Sequence, residues 1–294
     1  MVGVLATPGR GRGDLGDDRT GQERLDRAIL TPVYPTLGPI PTHGLFVGLG
    51  VLAAAVVFVL EARRRGARDE RLVFVVMGAL VGGAILMRMG TWLQHVDLRE
   101  NASVTEQWLY GNRSILGGLF GAWLGVHVAK RLTGYRLRTG DLFAPAVALG
   151  MAVGRVGCLL TEKPGTPTGH GWGVTLGAAT AQRLHAPAGV PLHPSFVYEI
   201  AFHLVAFLLL WFWLRRKDLP PGETFTLYVA GYALFRFLVE FVRGNEVAWE
   251  GLTRPQLVLA VTIPLLLARI AWQVRRGVYV RAAATPNDRA ASPV

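Results

Sequence analysis

Seven stretches of the chain are dominated by apolar and small residues, separated by polar segments rich in arginine, proline or glycine. They cover residues 44–60, 72–93, 114–129, 142–160, 197–214, 224–242 and 257–272. About 20 such residues are what an α-helix needs to cross a bilayer, so the pattern predicts an all-α, polytopic membrane protein of about seven transmembrane helices. Charged residues at the ends of the runs give it a direction. Arg63, Arg64, Arg65, Arg68 and Arg71 follow the first run, Lys130, Arg131, Arg136 and Arg138 the third, Arg215, Arg216 and Lys217 the fifth, and Arg275 and Arg276 the seventh. Short basic loops stay cytoplasmic, which puts the N-terminus outside and the C-terminus in the cytoplasm. Arginines near the N-terminus do not oppose this, because most lie beyond the roughly 15–20 residues over which the rule acts.

The same pattern divides the chain. Residues 1–41 lack the uninterrupted apolar core of a signal peptide and read as a flexible polar tail; residues 42–274 form the transmembrane domain; residues 275–294 form a flexible cytoplasmic tail. Within the runs, small residues recur every fourth position: Gly44 and Gly48; Gly78 and Gly82; Gly117, Gly121 and Gly125; Gly150, Gly154 and Cys158. Faces of this kind let helices approach closely. The polar segment 162–194 is longer than a connection requires, and such loops usually carry function.

Composition narrows the class. At 51% hydrophobic residues and a mean hydropathy of +0.34, the chain belongs in a lipid bilayer and not among soluble domains. Its net charge of +11 would suggest nucleic acid in a soluble protein, but the cations sit in topology-setting clusters, and nucleic-acid binding is excluded. Cys158 is the single cysteine, which excludes an intramolecular disulfide and a cysteine-based metal cluster; no cofactor and no metal are expected. The thiol reads as a small packing group.

Charges inside the runs carry the candidate chemistry. Arg155 interrupts the fourth run and Arg88 the second, and a cation at the centre of a spanning helix costs about 2.5–3.5 kcal/mol. In the sixth run Tyr228, Tyr232, Arg236, Glu240 and Arg243 follow at steps of four, four, four and three, which lines them along one helical face. Arg236 and Glu240 pair at i,i+4, and one cation remains over. Two readings follow: an interhelical ion network with Glu199 of the fifth run as the missing anion, or a cavity that receives an anionic group. Arg88, Arg155, Arg236 and Arg243 all lie near the outer ends of their helices in this topology. A guanidinium offers the planar fork that binds phosphate at two points, and the abundant phosphate of a bilayer is a lipid headgroup. Ahead of the fifth run, Pro194 bars helix before it, Ser195 fits an N-cap and Glu199 falls near the first turn, where the helix dipole favours a carboxylate. His193, Tyr198 and His43 place polar tips at the same outer face, and two histidines there suit proton transfer near neutrality.

Six segments in this order resemble the prolipoprotein diacylglyceryl transferase family of bacterial inner-membrane enzymes: Gly38-Pro39-Ile40 leading to Gly44-Leu45, Arg88-Met89-Gly90, Gly117-Gly118-Leu119-Phe120-Gly121, Gly154-Arg155-Val156-Gly157, His193-Pro194-Ser195 through Tyr198-Glu199, and Gly231-Tyr232 through Arg236, Glu240 and Arg243. The resemblance implies a multi-pass enzyme that moves a diacylglyceryl group from phosphatidylglycerol to the lipobox cysteine of a prolipoprotein, forming a thioether and releasing glycerol phosphate. Together with the charge pattern it makes His43, His193 and Glu240 the candidate catalytic residues, and Arg88, Gly154, Arg155, Gly157, Tyr198, Glu199, Tyr232, Arg236 and Arg243 the candidate substrate-binding ones. The chain also departs from the pattern. His43 stands where the family usually has Tyr, Leu116 where it has His, and Cys158, Thr161 and Lys163 where Asn, Asn and Glu are expected, with Glu162 one residue early. Either His43 or His193 takes over as base in a divergent enzyme, or the chain is a paralogue with another acceptor or with lipid binding alone. A transporter is the alternative from another class.

Overall fold

The computed structural model describes residues 35–94, 114–217 and 219–279; the expectations for residues 1–34 and 280–294, and so for most of both tails, lie outside them. Among the described residues the chain forms eight α-helices: α1 (Thr42–Arg64), α2 (Arg71–Gln94), α3 (Ile115–Thr133), α4 (Gly140–Thr161), the short α5 (Ala178–Leu184), α6 (Ser195–Leu208), α7 (Glu223–Arg243) and α8 (Arg254–Arg275). Six helices are long and apolar enough to cross a membrane: α1, α2, α4, α6 with its continuation to Arg216, α7 and α8. The third run does form a helix, α3, but four glycines, His127, Lys130 and Arg131 dilute its apolar content, and it is not one of the six. The described residues also form three two-stranded pairings: β1 (Thr36–Leu37) with β2 (Ile40–Pro41) ahead of α1, and, in connections, β3 (Val174–Thr175) with β4 (Pro191–Leu192) and β5 (Val247–Trp249) with β6 (Leu252–Thr253). The described residues are mostly helical, with one short pairing ahead of α1 and two in connections between helices.

Glycine pairs set the closest helix contacts. α2 lies along α3 and α1 along α4. A Cβ on Gly78, Gly82, Gly121 or Gly125 would run into the backbone of the opposite helix, and one on Gly50 would stand 2.6 Å from the Gly150 carbonyl oxygen. The small faces of α2, α3 and α4 are thus used as expected, while on α1 the contact falls at Gly50 and not at Gly44 or Gly48, which meet at most the edge of Pro41. Gly154, one turn beyond Gly150, has room for a side chain, with no atom of the described residues within 4 Å of where its Cβ would stand.

The outside of the bundle is apolar. Leu52, Phe74, Leu238 and Leu265 are all more than half exposed, an arrangement that water would penalise and lipid tails solvate. The inside carries the buried charge. At the basic-loop end, Glu61 is 1% exposed and accepts from Arg64 and Arg65, with Arg215 at 3.9 Å. Asp141 of α4 takes the N–H groups of Gly222 and Phe225 at the start of α7. Glu223 accepts from Arg269, Gln273 and Tyr279, which pins the end of α8; burial first, and then this hydrogen bond, push the Tyr279 phenol up to about 12. Beyond Leu208 the α6 axis widens into a π turn (Leu209–Trp213) and a short 3-10 turn (Leu214–Arg216), and Arg215 lies 4.0 Å over the Trp211 ring.

The polar segment after α4 folds into a cap with its own apolar cluster of Leu176, Ala181 and Leu192. Backbone bonds tie it down: the Thr166 N–H donates to the Val242 carbonyl and the Gly165 N–H to that of His193, each at 2.8 Å. The start of α6 differs from the sequence expectation. Ser195 is already helical, Pro194 is the cap residue with no side-chain bond, and the Ser195 hydroxyl is buried with no hydrogen-bond partner among the described residues. Glu199 lies past the first turn, so its charge is answered by arginines and not by the helix dipole.

Candidate functional site

The buried charges at the opposite end of the bundle come from helix ends that the topology brings together: the last turns of α4 and α7, the early turns of α6 and the first turn of α1. Arg155 is 4% exposed and Glu199 fully buried; they pair through Nη2 and Oε2. The other Glu199 oxygen accepts from Arg243 Nη1 at 2.6 Å. Arg236 pairs with Glu240 one turn along α7, and Glu240 Oε1 also accepts from Asn245 Nδ2 at 2.6 Å and from the Thr253 hydroxyl at 2.9 Å. Three guanidinium groups therefore meet two fully buried carboxylates, which leaves one positive charge. Glu162, at 3.8 Å from Arg243, has a side chain 42% exposed and screens that charge only at its edge.

These groups border a cavity of about 1080 Å³. Arg155, Arg236 and Arg243 form its polar end with His43, Cys158 and Glu162, and Val47, Val51, Val147 and Met151 continue it as an apolar wall between helices. Gly154 lines it, which accounts for the open space at its α-carbon. Gly157 does something different: a Cβ there would stand 3.0 Å from Phe46 and 3.2 Å from the His43 α-carbon, so the glycine lets α1 close against α4 and sets where His43 begins. Both buried partners of the arginines hold their geometry, since a guanidinium whose inner edge is engaged presents its remaining donors in a fixed plane.

The sequence-derived residues divide accordingly. His43, Gly154, Arg155, Arg236 and Arg243 line the cavity; Glu199 and Glu240 stand behind the arginines; Tyr232, 6% exposed, is packed between them against Phe202 and His203. His193 and Tyr198 are joined to each other, Nδ1 to hydroxyl at 3.2 Å, with Trp172 edge-on to the imidazole, and neither lines the cavity. Arg88 is half-buried and does not line it either. Sequence reading missed Asn245 and Thr253, which sit beyond the end of α7 in polar segments with no helical period to mark them. It also treated Cys158 as packing alone. The thiol is buried, but Sγ faces the cavity, 3.8 Å from Arg155 Nη1 and 3.9 Å from His43 Nδ1.

A bundle of apolar helices with a cationic cavity and an apolar wall between them defines a polytopic membrane protein. The family model for prolipoprotein diacylglyceryl transferase matches residues 32–274, and the chain belongs to that family. The phosphatidylglycerol–prolipoprotein diacylglyceryl transferase of Geobacillus kaustophilus is 32% identical over 263 residues, covering 84% of this chain and 93% of the relative. Transferase 2 of the same name from Clostridium perfringens is 28% identical over 231 residues, 76% of this chain and 87% of its own. The Clostridium tetani enzyme is 30% identical over 213 residues, 69% and 80% respectively.

Proposed function

We propose that this chain transfers the diacylglyceryl group of phosphatidylglycerol to the lipobox cysteine of a prolipoprotein, as a multi-pass enzyme of the bacterial inner membrane. The observation that carries the reading is the surplus positive charge, screened only at its edge by Glu162, where Arg155, Arg236 and Arg243 meet Glu199 and Glu240, at the head of a cavity whose wall is apolar. A lipid phosphate supplies the missing anion and its acyl chains take the wall. In the reaction the thiol gives up its proton, the sulfur pair forms a bond to the glycerol carbon that carried the phosphate, and the C–O pair leaves on glycerol phosphate. Bonds from the three arginines to the phosphate strengthen as that oxygen gains charge. Glu240 and Glu199 position the guanidinium groups, and His43, at the cavity mouth, serves the incoming thiol. His193, held by Tyr198 outside the lining, keeps the start of α6 in place.

The membrane arrangement that fits this role has seven spans with α3 included, residues 42–274 as the transferase domain between two flexible tails, the cavity end outside and the basic-loop end cytoplasmic. A paralogue with a different acceptor is the second reading, and the observation favouring it is the replacement of the family's polar groups by Leu116 and Cys158. The deciding experiment reconstitutes the purified protein in phosphatidylglycerol vesicles with a lipobox peptide and follows the peptide mass. A gain of one diacylglyceryl group on cysteine, absent with a Ser-for-Cys peptide, is the expected result; lipid binding with no mass gain selects the second reading.

A further inference from the structure

The departures from the family pattern at the cavity mouth form a set of their own. His43 in the first turn of α1, Cys158 in the last turn of α4 and Glu162 just beyond it bring an imidazole nitrogen, a sulfur and a carboxylate oxygen within 4.8 Å of one another. His43 Nδ1 lies 3.6 Å from Glu162 Oε1 and 3.9 Å from Cys158 Sγ. Nitrogen, sulfur and oxygen ligands at ordinary zinc bond lengths in a tetrahedron stand about 3.4–3.6 Å from each other. Two edges of the triangle therefore need to close by only a few tenths of an ångström. The third closes by rotation of Glu162, the most exposed of the three.

We propose that His43, Cys158 and Glu162 form a Zn²⁺ site whose fourth position opens on the cavity and takes the acceptor's thiol as a thiolate. The metal-binding half stands on geometry alone; the thiol half rests on the transfer reaction proposed above. Three protein ligands and one open position are the pattern of catalytic zinc, and a mixed set needs one cysteine where a cysteine cluster needs several. Charge is consistent: one thiolate and one carboxylate offset the ion. Of the nearby guanidinium groups, Arg155 pairs with Glu199 through Nη2 while its Nη1 stands 3.8 Å from Sγ, and Arg243 pairs with Glu199 and, at 3.8 Å, with the other oxygen of Glu162, Oε2. A thiol that coordinates a divalent metal is deprotonated outright. Its proton passes to cavity water, the metal holds the thiolate, the sulfur pair forms the S–C bond, and the C–O pair departs on the phosphate at the arginines. No base is then required at position 116, where the chain has leucine.

The test uses the purified full-length protein in detergent micelles, stripped with a chelator and titrated with CoCl₂. The expected result is one Co²⁺ per chain with a thiolate-to-metal charge-transfer band, displaced by one equivalent of ZnCl₂. Cys158→Ser and Cys158→Ala lose the band, and His43→Ala and Glu162→Gln weaken metal binding by more than about 100-fold, beyond what loss of a ligand's outer partner costs. A lipobox peptide intensifies the band by adding a second thiolate, and its Ser counterpart does not. Absence of the band, or equal affinity in Cys158→Ala, overturns the site; a band that ignores the cysteine peptide overturns thiol delivery. Neither readout depends on turnover, so a protein that passes both yet transfers nothing upholds this site and counts against the transfer reading.

Discussion

Replacing Glu199 with glutamine asks whether the cavity was built for an anion. Glu199 is fully buried and is the shared counter-ion of Arg155 and Arg243. Glutamine keeps the shape and one accepting oxygen but removes the charge, so the surplus among Arg155, Arg236, Arg243 and their buried carboxylates rises from one positive charge to two. Breaking a buried pair by removing one partner costs about 3–5 kcal/mol, and for a chain of this size each kcal/mol corresponds to about 2–4 °C. A fall in melting temperature on the order of 10 °C is expected, read by tryptophan fluorescence in micelles. The informative part is its lipid dependence. Phosphatidylglycerol, which brings the missing negative charge, recovers part of the loss and stabilises the variant more than the unmodified protein, whereas zwitterionic phosphatidylcholine does neither. Equal stabilisation by the two lipids, or a fall under about 2 °C, would refute the electrostatic account of the cavity.

Four further outcomes are expected. Arg236→Ala abolishes transfer to the lipobox peptide while the protein still inserts and folds, because Asn245 and Thr253 continue to donate to Glu240; full activity in the purified variant removes the phosphate cavity. His43→Ala lowers the initial rate by about 10²–10⁴-fold between pH 6 and 9, and His193→Ala, outside the lining, costs far less; the reverse order refutes the assignment. Gly125→Ala forces α2 and α3 apart where their backbones touch, destabilising by about 1–3 kcal/mol or more, whereas Gly48→Ala, with open space around it, leaves the melting temperature unchanged. Tyr279, whose pKa is raised, contributes to stability below its ordinary value near 10 and loses that contribution as pH rises through about 12; an absorbance difference between the protein and Tyr279→Phe that titrates near 10 contradicts the bond to Glu223.

Hydrophobic runs located the helices well because a spanning helix is apolar along nearly its whole length. The run 142–160 became Gly140–Thr161 and the run 224–242 became Glu223–Arg243. The run 257–272 was extended at its start to Arg254, since Pro255 is tolerated in a first helical turn and is not apolar enough to mark it. Half of the site was legible for a similar reason. Arg236 and Glu240 share a helix face at i,i+4, and an arginine in an apolar run demands a partner, which pointed to Glu199. The other half depends on tertiary approach. His43 and Cys158 are 115 positions apart, and only the closure of α1 on α4 over Gly157 brings them together. The carboxylates at the far end, Glu61, Asp141 and Glu223, sit at the margins of the apolar runs, where a charged residue reads as solvated until the fold shows it buried.

The two ion pairs of the cavity differ in a way that bears on how the protein is made. Arg236 and Glu240 are neighbours on α7 and enter the bilayer already neutralised. Arg155 belongs to α4 and Glu199 to α6, so synthesis delivers the cation first, and about 40 residues of polar cap and helix separate it from its anion. Until α6 arrives, α4 carries an exposed guanidinium whose cost in lipid is about 2.5–3.5 kcal/mol. The glycine contact between α4 and the already inserted α1 holds it in the meantime. Biogenesis of the cavity is thus ordered by the chain itself: the helix pair joined through Gly50 and Gly150 forms the platform, and the charged end of the cavity is completed only when a later helix brings the carboxylate that locks it.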